Sequence, residues 1–486
     1  METVLLTGAA SGIGRATAWR LARLGCRCVL VDRNAEALEG LLAELRAAAL
    51  NADALDACAS RVSGSLPAAP TTTKAEHLAR VADLTDPNQI HALADDMPPL
   101  DAIINNAGMT DASNLPVVEQ AERDWQRLLD LNLHAPPRLL HALQSRLTPH
   151  ARIVNVASGA GLHAIPLRGA YSPSKAGLIA QTQALARARP DLRVSVLCPG
   201  FVQTELVDGL IASGRLDPVR AVAKIPLGRL ARPEELACAL AFLASPDAAP
   251  LSGSRLSVDG GSSVYGGSQA YAPNAVSPVS CDTPLALTVH GDWPVRGDMQ
   301  AHEHGHEREH EHEQKHEQAR DGYPAVIDTT VLASPPGGRL AAVLAVARRH
   351  GTGGMDSKPS SLTLLLPRVE QADWEHAGDD AAARMLIATL ACEWGPRARR
   401  INAVEVASAR PDSALWPLLR FVAGAQAQYL TGKTLCTRCL TWTPSNPASL
   451  PRAATGVHGP KPCCAPTPRS CRTTPTTRAI RRGPVR

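Results

Sequence analysis

Tyr171-Ser-Pro-Ser-Lys175 is the stretch of this chain whose residue types and spacing carry the most chemistry. A phenol with an ordinary pKa of about 10 neither gives nor takes a proton readily near neutrality. A nearby cation changes that by stabilising the phenolate, and Lys175 stands four residues on, the spacing that puts two side chains on one helix face. Ser158, thirteen residues upstream, adds a hydroxyl able to hold a reacting oxygen. A tyrosine and lysine at helical spacing are common on protein surfaces, so the pair gains meaning only from its surroundings.

The second group is Thr7-Gly8-x-x-x-Gly12-x-Gly14. A glycine-rich turn between a strand and a helix lets backbone approach a pyrophosphate, which the N–H groups and the positive helix end then stabilise. Residues 3–7 read as a short apolar strand, and residues 13–24 as a helix ended by Gly25. Residues 28–31 read as a second strand closing on Asp32, eighteen residues past Gly14. A carboxylate there accepts hydrogen bonds from ribose hydroxyls and repels a 2′-phosphate, which favours NAD over NADP. Arg33 beside it keeps NADP open.

The elements that must position these groups alternate along the chain. After a helix over 35–50 and a loop-forming insertion over 59–74 come strands at 77–82 and 102–105 and helices at 121–133 and 137–147. A strand at 152–156, a helix at 171–187, a strand at 193–197, a helix at 233–244 and a strand at 255–258 complete the series. Repeated β/α alternation predicts an α/β fold with a doubly wound parallel sheet, a Rossmann fold. Asp83-Leu84 and Asn105-Asn-Ala-Gly108 fall at the carboxyl ends of predicted strands, where such sheets bind ligands.

Together with Asn132, Pro199-Gly-Phe-Val-Gln-Thr204 and Val258-Asp-Gly-Gly261, these motifs resemble the short-chain dehydrogenase/reductase family over residues 1–266. The resemblance implies an NAD(P)-dependent oxidoreductase acting on a carbonyl or secondary alcohol. Tyr171 would be the general acid/base, Lys175 would lower its pKa and bind the nicotinamide ribose, Ser158 would orient the reacting oxygen, and Asn132 would support Lys175 through a water-linked relay. Gly8, Ser11, Gly12, Ile13, Gly14, Asp32, Asp83, Leu84, Asn106, Gly108, Pro199, Gly200, Val202 and Thr204 would line the cofactor site with Tyr171 and Lys175. The substrate pocket would be built by residues 160–167 and by Leu206, Leu210, Ile211 and Leu216. The resemblance also implies a homodimer or homotetramer formed through the helices containing Asn132 and Tyr171.

Bulk properties agree with a chain of this kind and set its tail apart. At 486 residues there is room for one large domain and additions. The net charge of +4 comes from residues 436–486, which hold nine Lys/Arg and no Asp or Glu. No stretch reaches the length of a membrane helix, and no basic leader precedes the first strand, so a cytoplasmic protein is expected. Seven cysteines scatter before residue 430 and five crowd after 435.

Residues 267–321 read as a flexible His/Glu-rich linker, with six histidines in 301–317 that form no defined metal site. Residues 322–435 read as a degenerate second copy of the same fold. Its helix at 381–395 aligns with that after Lys175, placing His376 opposite Tyr171 and Asp380 opposite Lys175, and no glycine-rich turn opens it. Residues 436–486 read as a disordered basic tail, with a break in pattern such as a shifted reading frame leaves. Two other functions compete with the oxidoreductase: a catalytically weak nucleotide-binding scaffold that binds partners through the second copy, and nonspecific nucleic-acid binding by the tail, which ranks last.

Overall fold

Thr3–Thr7 forms β1, buried along its whole length as a strand flanked and covered on both faces must be. Around it, in chain order, run α1 (Gly12–Arg23), β2 (Arg27–Asp32), α2 (Ala35–Val62), β3 (Leu78–Val81), α3 (Pro87–Ala92), β4 (Leu100–Asn105), α4 (Glu122–Leu129), α5 (Ala135–Leu143) and β5 (Leu147–Val156). Then come α6 (Tyr171–Ala188), β6 (Arg193–Pro199), α7 (Glu205–Ala212), α8 (Pro218–Val222), α9 (Pro233–Leu243) and β7 (Arg255–Val258). This computed structural model describes residues 1–62, 76–111, 113, 115, 119–163, 165, 167–214, 216–267, 270–274, 276–291, 322–351, 358–368, 374–407 and 413–437. All of them lie in one compact body, Met1–Leu440, which holds two units, each a parallel sheet with its helices.

The seven strands pair in parallel in the order β3-β2-β1-β4-β5-β6-β7. The order reverses between β1 and β4, and the crevice beyond the carboxyl ends of those strands is where sheets of this kind hold ligands. Side-chain alternation serves two cores. Val4 and Leu6 join Leu21 of α1 and Leu236 and Leu240 of α9 on one face, while Leu5 joins Ile90 of α3 and Leu139 of α5 on the other.

Three boundaries differ from the sequence reading. α2 continues to Val62, because loop-forming residues begin only at Ser63-Gly64; residues 63–75 of the predicted insertion lie outside the described residues. Leu147 opens β5 instead of ending a helix, pairing with Leu100 before the register shifts and Ala102 meets Arg152. The helix predicted over 121–133 ends at Leu129 and passes into a π-helical turn, Asp130–His134, that carries Asn132.

A second sheet is built from β8 (Leu285–His290), β9 (Tyr323–Asp328), β10 (Ser360–Pro367), β11 (Arg399–Val406) and β12 (Thr434–Cys436), with α10 (Arg339–Gly351), α11 (Trp374–Trp394) and α12 (Trp416–Ala423) between them. Its order is β12-β11-β10-β9-β8, all parallel, which repeats β7-β6-β5-β4-β1 of the first sheet. No described strand corresponds to β2 and β3. The linker reading of 267–321 is corrected by β8, which lies inside that stretch and pairs with β9 from Leu285↔Tyr323 to His290↔Asp328. The His-rich segment 301–317 and the tail from 438 onward lie outside the described residues.

Candidate active site

The glycine turn is fixed by close backbone packing. Gly8 has a positive φ of 63°, and a Cβ on Gly14 would stand 1.9 Å from the Gly8 carbonyl oxygen. Only glycine at 14 lets the start of α1 lie against the end of β1. Ser11 is the N-cap of α1 and makes no side-chain capping bond, so the first-turn N–H groups keep their donors, as helix N-termini do. This cradle, which a side chain would fill, fits a pyrophosphate; Gly12, Ile13 and Gly14 supply N–H groups and the helix end supplies positive potential.

Two neighbours brace the turn. Asn106, just past β4, donates from Nδ2 to the carbonyls of Thr7 (3.1 Å) and Gly8 (3.0 Å). Asp32, at the end of β2, accepts from the Ala10 N–H through Oδ2 and from the Asn34 N–H through Oδ1, both at 3.0 Å. Each carboxylate oxygen retains lone-pair capacity for a hydroxyl donor. Beyond β3, Asp83 takes hydrogen bonds from the Thr85 N–H (2.9 Å) and hydroxyl (2.8 Å). Burial pushes its pKa up, but these bonds and nearby arginines outweigh burial and hold the carboxyl below its ordinary range. Leu84 points the other way in function, being buried in the β1–α5 core.

The far wall comes from the chain after β6. Pro199 ends that strand, the Gly200 N–H donates to the Val258 carbonyl (3.0 Å), and Val202 bridges Ala231. Thr204 caps α7 by accepting from the Val207 N–H (3.4 Å), and its methyl lies 3.2 Å from where a Cβ on Gly12 would stand. The nominated cofactor residues thus gather along the carboxyl edge of the sheet.

The proton-transfer group assembles at the start of α6. Ser158, in extended backbone after β5, caps a short 3-10 turn through the Ala160 N–H (3.1 Å), and its side chain acts on Tyr171 in the sense that favours the phenolate. Burial raises the Tyr171 pKa above its ordinary value, and the Ser158 interaction works in the opposite direction. Lys175, one helical turn on and 4% exposed, donates from Nζ to the Val156 carbonyl (2.9 Å). Its Nζ stands 5.9 Å from the Tyr171 ring centre. Burial lowers the ammonium pKa to about 8, with Cys198 opposing slightly. Desolvation is thus the largest influence on the phenol.

Asn132 is buried and exchanges two hydrogen bonds with Met109, donating to its carbonyl (2.8 Å) and accepting from its N–H (3.0 Å). It also donates to the Ser174 hydroxyl (3.2 Å). A Cβ on Gly108 would lie 3.2 Å from Lys175 Nζ and 3.3 Å from Asn132 Oδ1, so glycine keeps open the space beside both. Sequence reasoning passed over Ser174 and the Val156 carbonyl. Ser174 stood inside the motif, but a backbone acceptor leaves no mark in residue type.

A cavity of about 720 Å³ opens beside the glycine turn, lined by Gly12, Trp19, Thr204, Arg232, Cys238 and Cys281, and reaches neither Tyr171 nor Ser158. Among the residues expected to line the substrate pocket, Ile165, Leu167 and Leu206 are exposed. In the second unit, Asp380 is ion-paired with Arg339, and Asp379 caps the start of α10 through the Arg339 N–H (2.8 Å). Asp380 is therefore committed to packing. His376 lies on α11, its side chain outside the described residues.

Residues 2–61 match the family described as short chain dehydrogenase, and residues 63–263 match that described as Enoyl-(Acyl carrier protein) reductase. A 3-oxoacyl-(acyl-carrier-protein) reductase, FabG, of Thermotoga maritima is 30% identical over 54% of this chain and 97% of its own length. An uncharacterized short-chain type dehydrogenase/reductase of Sinorhizobium fredii is 42% identical over 33% of this chain, an alignment that spans only 30% of that protein. A solved short-chain dehydrogenase/reductase (glucose/ribitol dehydrogenase) from Brucella melitensis superimposes with a TM-score of 0.45 at 26% identity, over 54% of this chain and 96% of that one. With the glycine turn, the parallel sheet and a FabG relative matched over nearly its whole length, the chain belongs to the short-chain dehydrogenase/reductase family of NAD(P)-dependent oxidoreductases.

Proposed function

We propose that this chain interconverts a carbonyl compound and its secondary alcohol, with the chemistry confined to the first sheet and its helices. The observation that carries the reading is the buried Lys175 ammonium 5.9 Å from the Tyr171 ring, at the start of the helix that follows Ser158. Bound NAD(P) would supply or accept the hydride. Tyr171 gives its proton to the carbonyl oxygen in reduction and takes it back in oxidation. Ser158 holds that oxygen beside the phenol. Lys175 stabilises the phenolate while it remains protonated, and Asn132 fixes the segment around Met109 and Ser174 against which α6 starts.

Gly8, Gly12, Ile13 and Gly14 would hold the pyrophosphate, with Ser11 at the helix cap and Asp83 and Leu84 at the end of β3. Asn106 and Gly108 would border the adenosine side, while Pro199, Gly200, Val202 and Thr204 would form the opposite wall. The Asp32 carboxylate supports NAD over NADP, because it offers acceptors to ribose hydroxyls and repels a 2′-phosphate. The exposed side chains of Ile165, Leu167 and Leu206 support an apolar substrate. The relative named as a 3-oxoacyl-(acyl-carrier-protein) reductase makes a 3-oxoacyl thioester one member of the panel to try.

The test is oxidation of NADH and of NADPH by the full chain against 3-oxoacyl thioesters, steroid ketones and sugar-derived ketones. Turnover with at least one carbonyl, faster with NADH, is expected. No absorbance change with any carbonyl or alcohol would instead support the nucleotide-binding scaffold.

A further inference from the structure

The second sheet packs on the first in a reciprocal way. Phe242-Leu-Ala, Leu251-Ser-Gly and Leu256 fall in register, without a gap, on Phe421-Val-Ala, Leu430-Thr-Gly and Leu435. Phe242 of α9 and Phe421 of α12 stack on each other, ring centres 4.1 Å apart and planes within 1°. Each helix also packs on the turn that follows the other: α9 on Ala425–Ala427, and α12 on Pro246–Leu251. A residue lying on its own equivalent, with contacts exchanged either side, is the mark of a two-fold axis between like units. Here both units sit in one chain and share one apolar core that includes Leu240, Leu251, Leu418, Phe421 and Tyr429.

The symmetry breaks at polar contacts, and one of them points toward the cofactor side. Lys433 extends from the second unit to Asp259, in the turn after β7, with Nζ 3.0 and 3.1 Å from the two carboxylate oxygens, and it also bonds the Ser263 hydroxyl. The Lys433 ammonium and the Asp259 carboxylate are both buried. The residue in register with Lys433 is Ser254, a neutral side chain whose hydroxyl donates to the Cys436 carbonyl (3.2 Å). Tyr429 reinforces the same turn, accepting from the Gly260 N–H (2.9 Å) and donating its hydroxyl to the Arg229 carbonyl (2.9 Å).

That turn bears directly on the loop of the candidate site. A Cβ on Gly200 would stand 2.8 Å from Asp259 Cα, so the two backbones are in contact, and the Gly200 N–H is held by Val258. Four residues on, Thr204 lies on Gly12. A continuous path of packed and bonded groups thus runs from Lys433 through Asp259 and Gly200 to Thr204 and the glycine turn.

We propose that the second unit serves as a built-in second subunit for the first, and that its Lys433 is a positioning residue that holds the Pro199–Thr204 side of the nucleotide site. This inference rests on the nucleotide-binding reading above. It gives the second sheet and its helices a role in the reaction of the first.

The test is calorimetric titration of NADH into the full chain and three variants: Lys433→Met, Lys433→Arg, and Asp259→Asn combined with Lys433→Gln. Lys433→Met is expected to weaken NADH binding about tenfold, with the nucleotide KM rising in step while kcat and its pH profile stay near wild type. Lys433→Arg, which keeps the ion pair, is expected to stay within about threefold of wild type. The double variant leaves no unpaired buried charge, so it keeps the test alive if Lys433→Met fails to fold, and it too is expected to bind about tenfold more weakly. Wild-type affinity in a folded Lys433→Met or in the double variant overturns the proposal. A wild-type chain that binds neither NADH nor NADPH overturns the functional reading itself, and this inference with it.

Discussion

Replacing Lys175 with methionine is expected to raise the stability of the folded chain at pH 7 while destroying activity. The ammonium is 4% exposed, and burial lowers its pKa from 10.5 to about 8. Below pH 8 both folded and unfolded chains carry the proton, and folding bears the full cost of burying the charge. Between about pH 8 and 10.5 the unfolded chain holds a proton that the folded chain has released. Unfolding then takes up a proton, so wild-type stability rises with pH in this window by up to about 1.4 kcal/mol per unit. The whole swing is about 3 kcal/mol. Methionine has nearly the same length and no charge, so the variant lacks this slope. It loses the Nζ bond to the Val156 carbonyl, worth about 1 kcal/mol. The variant is therefore expected to be more stable than wild type by about 2 kcal/mol at pH 7 and less stable by about 1 kcal/mol above pH 10.5. Burial pushes the Cys28 and Cys198 thiols up to about 12 in the folded chain, above this window, and their titration in the unfolded chain is common to both proteins, so the difference reports Lys175. Guanidinium unfolding of both at pH 7, 8.5 and 10.5 measures it. A difference that stays constant within about 0.5 kcal/mol across those three values would refute the reasoning that the site holds a desolvated cation.

Two further substitutions probe the cofactor end. Gly14→Ala brings a methyl to 1.9 Å from the Gly8 carbonyl, backbone against side chain with nothing flexible to yield. It is expected to cost about 3 kcal/mol or more and to abolish NADH binding in titration; wild-type affinity in that variant would mean the turn is not the cradle. Asp32→Ala removes the acceptor for ribose hydroxyls and the repulsion of a 2′-phosphate, so the ratio of NADPH to NADH affinity is expected to rise about tenfold or more. An unchanged ratio would remove Asp32 from the determinants of cofactor choice.

The glycine turn and the Tyr171–Lys175 motif were legible in the sequence because their chemistry is local. Gly8, Gly12 and Gly14 answer a steric demand within one turn, and Tyr171 and Lys175 meet at helical spacing. What escaped was set by contacts remote in sequence or made by backbone. β8 was hidden because Leu285–His290 is short, follows proline-rich polar chain, and gains its strand state from pairing with β9 along its length. Asn132 was read onto a regular helix, whereas its π-helical turn depends on bonds to Met109 and Ser174. The expected lowering of the Tyr171 pKa by Lys175 followed from spacing alone, and spacing could not register the desolvation that raises it. The Lys433–Asp259 pair joins residues far apart in the chain, and although Asp259 stands in the Val258-Asp-Gly-Gly261 motif, nothing in residue type marks Lys433 as its partner.

The central claim is that Tyr171 transfers the proton, and the most direct test is Tyr171→Phe measured two ways on one preparation. NADH titration is expected to give an affinity within about twofold of wild type, because the phenol oxygen makes no bond that builds the glycine turn. Carbonyl reduction is expected to fall about 10²–10⁴-fold, the share a positioned general acid supplies. Turnover at the wild-type rate with nucleotide binding intact would contradict the account.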